Sequence, residues 1–160
     1  MLRVKIITVG KLKENYLRQA QAEYLKRLSA FCKAEVAELP EERLPDNPSV
    51  AEIQNGLKKE AERIRKEIPS GAFVYSMQIE GKQLTSEALA KQLDAHPLAG
   101  KSTVVFIIGS SFGLEEPLKK ESDFALSFSQ MTFPHQLARI MLLEQIYRAF
   151  SINAGTKYHK

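Results

Sequence analysis

Val104-Val105-Phe106-Ile107-Ile108-Gly109-Ser110-Ser111-Phe112-Gly113 (VVFIIGSSFG) is the stretch that decides the fold. A continuous apolar run this short, ending at glycine, reads as a buried strand that opens into a tight loop. Such a strand is covered on both faces, which places it centrally in a parallel sheet. Downstream, 124–128 reads as another short strand, and Pro134 then opens a long apolar helix to about Asn153. Two strand ends and a helix start converging in this way predict a ligand pocket.

Working outward, the chain alternates strand and helix throughout. Strands are expected at 2–9, 34–39, 72–78, 103–108 and 124–128. A helical stripe from Asn15 to Ala30 runs through Leu17, Ala20, Tyr24, Leu25 and Leu28. Pro40 to Pro48 holds three prolines and reads as a loop. Ser49-Val50-Ala51-Glu52 is a capping box that starts a charged helix to about Glu67. Glu80-Gly81-Lys82 reads as a turn after the third strand, and Thr85 as the cap of a helix to about Ala95, ahead of Pro97. A short helix fits Glu115 to Lys120. This alternation predicts one three-layer α/β domain over 1–160 with a mostly parallel sheet.

Composition narrows the function classes. Of 160 residues, 44% are hydrophobic and 26% charged, as in ordinary folded domains. No apolar run approaches the roughly 20 residues of a membrane span, and no signal peptide is expected before the first strand, so the expected location is cytoplasmic. Cys32 stands alone, which precludes an internal disulfide and suits a packing role. His96, His135 and His159 are scattered, so no metal site is expected. Net charge is +4, and it is uneven. Residues 1–30 carry seven Lys/Arg against two acids, and residues 126–160 four against one. Brought together, the two ends would form a positive surface suited to a polyanion such as RNA.

Several stretches carry candidate chemistry. Gly109 to Leu114 matches neither dinucleotide nor Walker loop spacing. A Rossmann enzyme would need glycines after the first strand, and Val9-Gly10-Lys11-Leu12-Lys13 does not supply them. Leu126 to Phe133 alternates small hydroxyl and apolar residues without a charge, which suits an adenine or a thioether. Arg139 has no acid three or four positions away, so it is a candidate for a phosphate or substrate contact, whereas Glu144 and Arg148 read as an i,i+4 pair. Lys157-Tyr158-His159-Lys160 combines cations, a stacking ring and an imidazole, as a phosphate backbone and an unstacked base require. The last helix is apolar nearly all round, which predicts a second copy of it as cover and hence a two-fold dimer.

The KIITVGKLKE start, the central IEGK, the IIG-S-GL loop, LSFSQMTFPHQLARIMLLEQIYRAFSI and the closing YHK together resemble the RlmH family. These are small SPOUT-superfamily methyltransferases that act on a pseudouridine of large-subunit ribosomal RNA. The resemblance covers essentially the whole chain. It implies an α/β fold with a C-terminal trefoil knot and a homodimer. It implies S-adenosyl-L-methionine held by Met77, Gly109, Ser110, Phe128, Ser129, Gln130, Met131, Thr132 and Phe133. The family usually shows a second glycine where Ser110 stands here. Arg139, Tyr158 and His159 would face the RNA as catalytic residues. Methyl transfer to N3 of the pseudouridine is the implied reaction, and His159, His135 or Arg139 could handle the N3 proton; a chain this small leaves no room for a separate RNA-binding domain, so the expected substrate is the assembled ribosome. A non-catalytic RNA-binding dimer of the same fold is the alternative.

Overall fold

The computed structural model describes residues 1–160. Five strands, β1 (Arg3–Val9), β2 (Lys33–Leu39), β3 (Phe73–Gln83), β4 (Thr103–Ile108) and β5 (Phe124–Ser127), alternate with five helices. The helices are α1 (Asn15–Leu28), α2 (Val50–Glu67), α3 (Ser86–Leu98), α4 (Glu116–Glu121) and α5 (His135–Asn153). All strand pairs are parallel, in the order β2-β1-β4-β3-β5. β4 therefore lies at the centre, as its unbroken apolar run requires.

Side-chain alternation sorts the two faces. Val4, Ile6, Tyr75, Val104, Phe106 and Ile108 pack with Leu28 of α1, Leu93 of α3, and Leu142, Leu143 and Ile146 of α5. Ile7, Val9, Val74, Val105 and Ile107 point the other way, onto Ala61 and Ile64 of α2 and Leu118 of α4. Three layers result, with α1, α3 and α5 on one side and α2 and α4 on the other. No helix is long and apolar enough to cross a membrane.

Local chemistry sets most element ends. Ser49 accepts a hydrogen bond from the Glu52 amide while the Glu52 carboxylate accepts one from the Ser49 amide, so the capping box is complete. Thr85 caps α3 through the Ala88 amide. Two expected boundaries move. α3 passes Pro97 and ends at Leu98, because a proline in a final turn forfeits only one backbone bond. α1 ends at Leu28, with Ala30 already in a turn.

A third difference matters more. Glu80-Gly81-Lys82 is extended, and β3 runs on to Gln83. Met77 and Lys82 both register with Leu126, so the residues between them form a bulge. Gly81 makes this possible: a Cβ there would sit 2.8 Å from the Ala125 backbone.

α5 does not depend on a second copy to cover its flanks. α1 and α3 lie on either side of it within the same chain. Phe31 stacks on Phe150 and Tyr24 lies against Tyr147. Ser86 Oγ donates to Gln145 and Asn153 Nδ2 to the Ala90 carbonyl.

Arg139 departs furthest from expectation. It is 1% exposed, so it does not face solvent or RNA in this structure. Its guanidinium binds Glu38 of β2 and Gln21 of α1 through Nη1, and the Gly10 carbonyl beyond β1 through Nη2. The acid missing from its own helix comes from a strand about a hundred residues earlier. Replacing Arg139 with Met should cost about 3 kcal/mol, because it strands a carboxylate and a carbonyl without a donor. Thermal denaturation measures this, and a stability loss within the error of wild type contradicts it. Gly81→Ala should lose about 1–3 kcal/mol through the clash with β5, a fall of several degrees in Tm.

Candidate functional site

The carboxyl ends of β3, β4 and β5 and the start of α5 surround a cavity of about 670 Å³. This volume falls within the range of small-molecule sites. Each wall follows from a local feature of the sequence.

The β4 end forms the floor. Gly113, at φ 87°, lets its amide donate to the Ser110 carbonyl at 2.8 Å and closes a four-residue turn. The turn folds back on Gly109, where a Cβ would lie 2.2 Å from the Gly113 carbonyl oxygen. No other residue fits there. Ser110 is compatible with the turn because it needs no positive φ. Its hydroxyl donates to Glu60 of α2 at 3.0 Å. Glu60 also accepts from the Glu42 amide, and burial raises its carboxyl above the usual range.

The β5 end forms the second wall. Its hydroxyls are engaged within the chain: Ser127 Oγ donates to the Ile79 carbonyl at 2.8 Å, and Ser129 Oγ accepts from the Met131 amide at 3.0 Å. These bonds fix the path of the loop, which bends at Phe128, Gln130 and Met131. What the loop presents to the cavity is an apolar wall with backbone between, which suits a flat heterocycle. The β3 bulge forms the third wall and brings Glu80 beside Lys119 of α4 at 2.9 Å. Lys119 holds the Glu80 carboxyl below its usual range.

Eight of the nine residues expected to hold a cofactor line this one cavity: Met77, Gly109, Ser110, Phe128, Ser129, Met131, Thr132 and Phe133. Gln130 does not; it is exposed at the crest of the loop. Glu80, Lys119 and His135 also reach the cavity. Glu80 belongs to the IEGK motif, which reads locally as a turn; only the contact of Gly81 with the Ala125 backbone makes it a bulge. Nothing in the local sequence marks Lys119.

The three residues expected to meet RNA do not come together. Arg139 is tied to Gln21, Glu38 and Gly10. The tail instead folds along the far part of α5. Tyr158 donates to Glu144 at 2.6 Å and packs on Tyr147, with Arg148 over its ring. His159 meets Arg148 at 3.1 Å and Glu87 at 2.7 Å. Burial and Glu144 together raise the Tyr158 phenol well above its ordinary value. A smaller cavity of about 330 Å³, lined in part by Glu144 and Gln145, adjoins the first and shares Phe128 and Phe133 with it.

The family described as "Predicted SPOUT methyltransferase" matches residues 2–159. The ribosomal RNA large subunit methyltransferase H of Bacillus cereus (strain B4264) is 53% identical over 159 residues, 99% of this chain and all of that protein. The same enzyme of Leuconostoc citreum (strain KM20) is 50% identical with the same coverage. The putative one of Methanococcus maripaludis (strain C5) is also 50% identical over the same span. A parallel α/β sheet with its cavity at the β3, β4 and β5 ends, matched end to end at this identity, makes the chain a member of the SPOUT methyltransferase family.

Proposed function

We propose that this protein is an S-adenosylmethionine-dependent methyltransferase that acts on N3 of a pseudouridine in large-subunit ribosomal RNA. The observation that carries this reading is the single cavity shared by Met77, the Gly109 turn and the 128–133 loop. Its relatives are named for methylation of large-subunit RNA, and the match is full length.

When bound, S-adenosylmethionine supplies a methyl group activated by the sulfonium charge. The chain's own contribution is placement. Phe128, Met131 and Phe133 offer apolar surface for the adenine, and the bare backbone at Gly109 permits close approach. Lys119 and Glu80 are the only fully charged side chains on the wall, and they would hold polar parts of the ligand. Holding donor and acceptor in line supplies much of the rate in such a transfer. In this reading the segment from Val104 to Lys160 closes as a trefoil knot, which would bring the two loops to one ligand. Arg139 acts by fixing α5 and the Gly10 segment, and Tyr158 and His159 handle the RNA.

Two surface features support the partners. The rim of the cavity exposes Ile79, Phe112 and Met131, and Leu137 is exposed in the neighbouring first turn of α5, at 42–74% of their full area. An apolar rim around a site suits coverage by a second copy, so the protein is read as a homodimer. The basic chain ends do meet: Arg27 of α1 lies over Tyr147 of α5, and Arg148 over Tyr158. Cations interleaved with rings suit an RNA surface, here an assembled ribosome in the cytoplasm.

Calorimetry should find one S-adenosylhomocysteine bound per cavity. Gly109→Ala should weaken it at least ~10-fold, because the turn must shift to admit a Cβ. A folded wild-type protein that binds none favours the non-catalytic RNA-binding dimer. Sedimentation velocity should give a dimer for wild type and a monomer for Met131→Asp/Leu137→Asp. A wild-type monomer at micromolar concentration refutes the subunit reading.

A further inference from the structure

We propose that His135 is the group that takes the N3 proton during methyl transfer, a step that rests on the function proposed above. Three titratable side chains stand on the cavity wall: Glu80, Lys119 and His135. Glu80 is held in an ion pair by Lys119, which lowers its carboxyl and makes it a weak base. Lys119 is protonated and itself bound to Glu80 and Glu116. Only an imidazole exchanges a proton readily near neutral pH.

Among the three histidines, His135 alone has a free ring. His96 is bonded to Tyr75 in the core, and His159 lies outside the cavity, along the far part of α5, between Arg148 and Glu87. Arg139 is buried and does not give up its proton at any ordinary pH. The remaining candidate is also the best held. His135 is the first residue of α5, and its neighbour Gln136 accepts a hydrogen bond from the Lys13 amide at 2.8 Å. One turn on, Arg139 grips the Gly10 carbonyl. Two bonds thus dock the helix start onto the Gly10–Lys13 segment, and the imidazole is aimed by the fold rather than by a partner of its own.

In the step, the N3–H bond breaks and its proton passes to a neutral nitrogen of His135. The electron pair left on N3 forms the new bond to the methyl carbon. The S–C bond breaks with its pair remaining on sulfur, which becomes a neutral thioether. Charge is balanced: one positive charge disappears at sulfur and one appears on the imidazole. The charged groups nearest the ring are Glu41, whose Oε2 lies 3.7 Å from the position a Cβ on Gly10 would take, with His135 Nε2 3.9 Å from the same point, and Arg139, which is paired with Glu38. The Glu80–Lys119 pair contributes no net charge.

The test is single-turnover methylation of ribosomes lacking this methyl group, from pH 6 to pH 9, with S-adenosylhomocysteine affinity measured alongside. His135→Ala should slow transfer ~100-fold while changing that affinity less than threefold. The wild-type rate should fall on the acid side with a single ionisation that His135→Ala and His135→Asn both lack. Added imidazole should partly restore His135→Ala. A His135→Ala rate within threefold of wild type overturns the proposal. So does a loss of cofactor affinity equal to the loss of rate, which would make His135 a binding residue. A wild-type protein that transfers no methyl group refutes the parent function instead.

Discussion

The structure turns on a buried cation. Arg139 sits at 1% exposure, and its side chain reaches α1, β2 and the segment after β1 at once. Taking a guanidinium out of water costs several kcal/mol, and a hydrophobic residue of similar volume would fill the space without that cost. What it could not do is choose a register. α5 is otherwise apolar on most sides, so a slide or rotation against α1 and α3 would exchange one aliphatic contact for another. The fork geometry of Arg139 admits one position, because three acceptors on three elements must be met together. That position sets where Pro134 and His135 begin the helix, and so where one wall of the cavity stands. Nε of Arg139 finds no partner, a residual cost of the arrangement.

The cavity is built from backbone more than from side chains. Gly109 and Gly113 bring two stretches of main chain into contact, and Gly81 brings a third against β5. Around them the hydroxyls of Ser127 and Ser129 are engaged by nearby amides and carbonyls, and that of Ser110 by Glu60. Polar side chains that would ordinarily greet a ligand therefore hold loops in shape. A ligand is left to meet amides, carbonyls and rings. Such a surface suits a flat heterocycle, held by fit and stacking, better than the ionic contacts that a triphosphate demands.

How much of this could be read from the residues divides along chain distance. β4, the Ser49 box and the Thr85 cap were legible because each is a property of a few adjacent positions. So was most of the cavity lining, through the family resemblance. Gly81 misled: glycine between charged residues signals a turn, yet here its missing side chain admits a neighbouring strand. Arg139 misled for a related reason. Pairing rules for helices look three or four positions away, and Glu38 lies in another strand. The apolar circumference of α5 was read correctly as needing two covers, but periodicity cannot say which elements provide them. α1 and α3 do so within the chain, and the case for a second subunit moves to the exposed rim of the cavity.

That shift changes what the carboxyl-terminal tail can mean. Tyr158 and His159 are held by Glu144, Arg148 and Glu87 on their own subunit, and none of these is a partner of Arg139. The tail and the buried arginine are thus separate devices on one helix. Every polar bond of the tail is to a charged or ionisable side chain that is at least partly exposed. Bonds of this kind exchange readily for phosphate or base contacts, since water and salt already weaken them. The bonds of Arg139 do not exchange, because breaking them leaves charge in a dry interior. One end of α5 is fixed to form the cavity and the other is free to trade partners. Under the proposed function, a helix that holds a small ligand still while meeting a large RNA surface would need both properties, and the burial of its ion pairs is what sorts them.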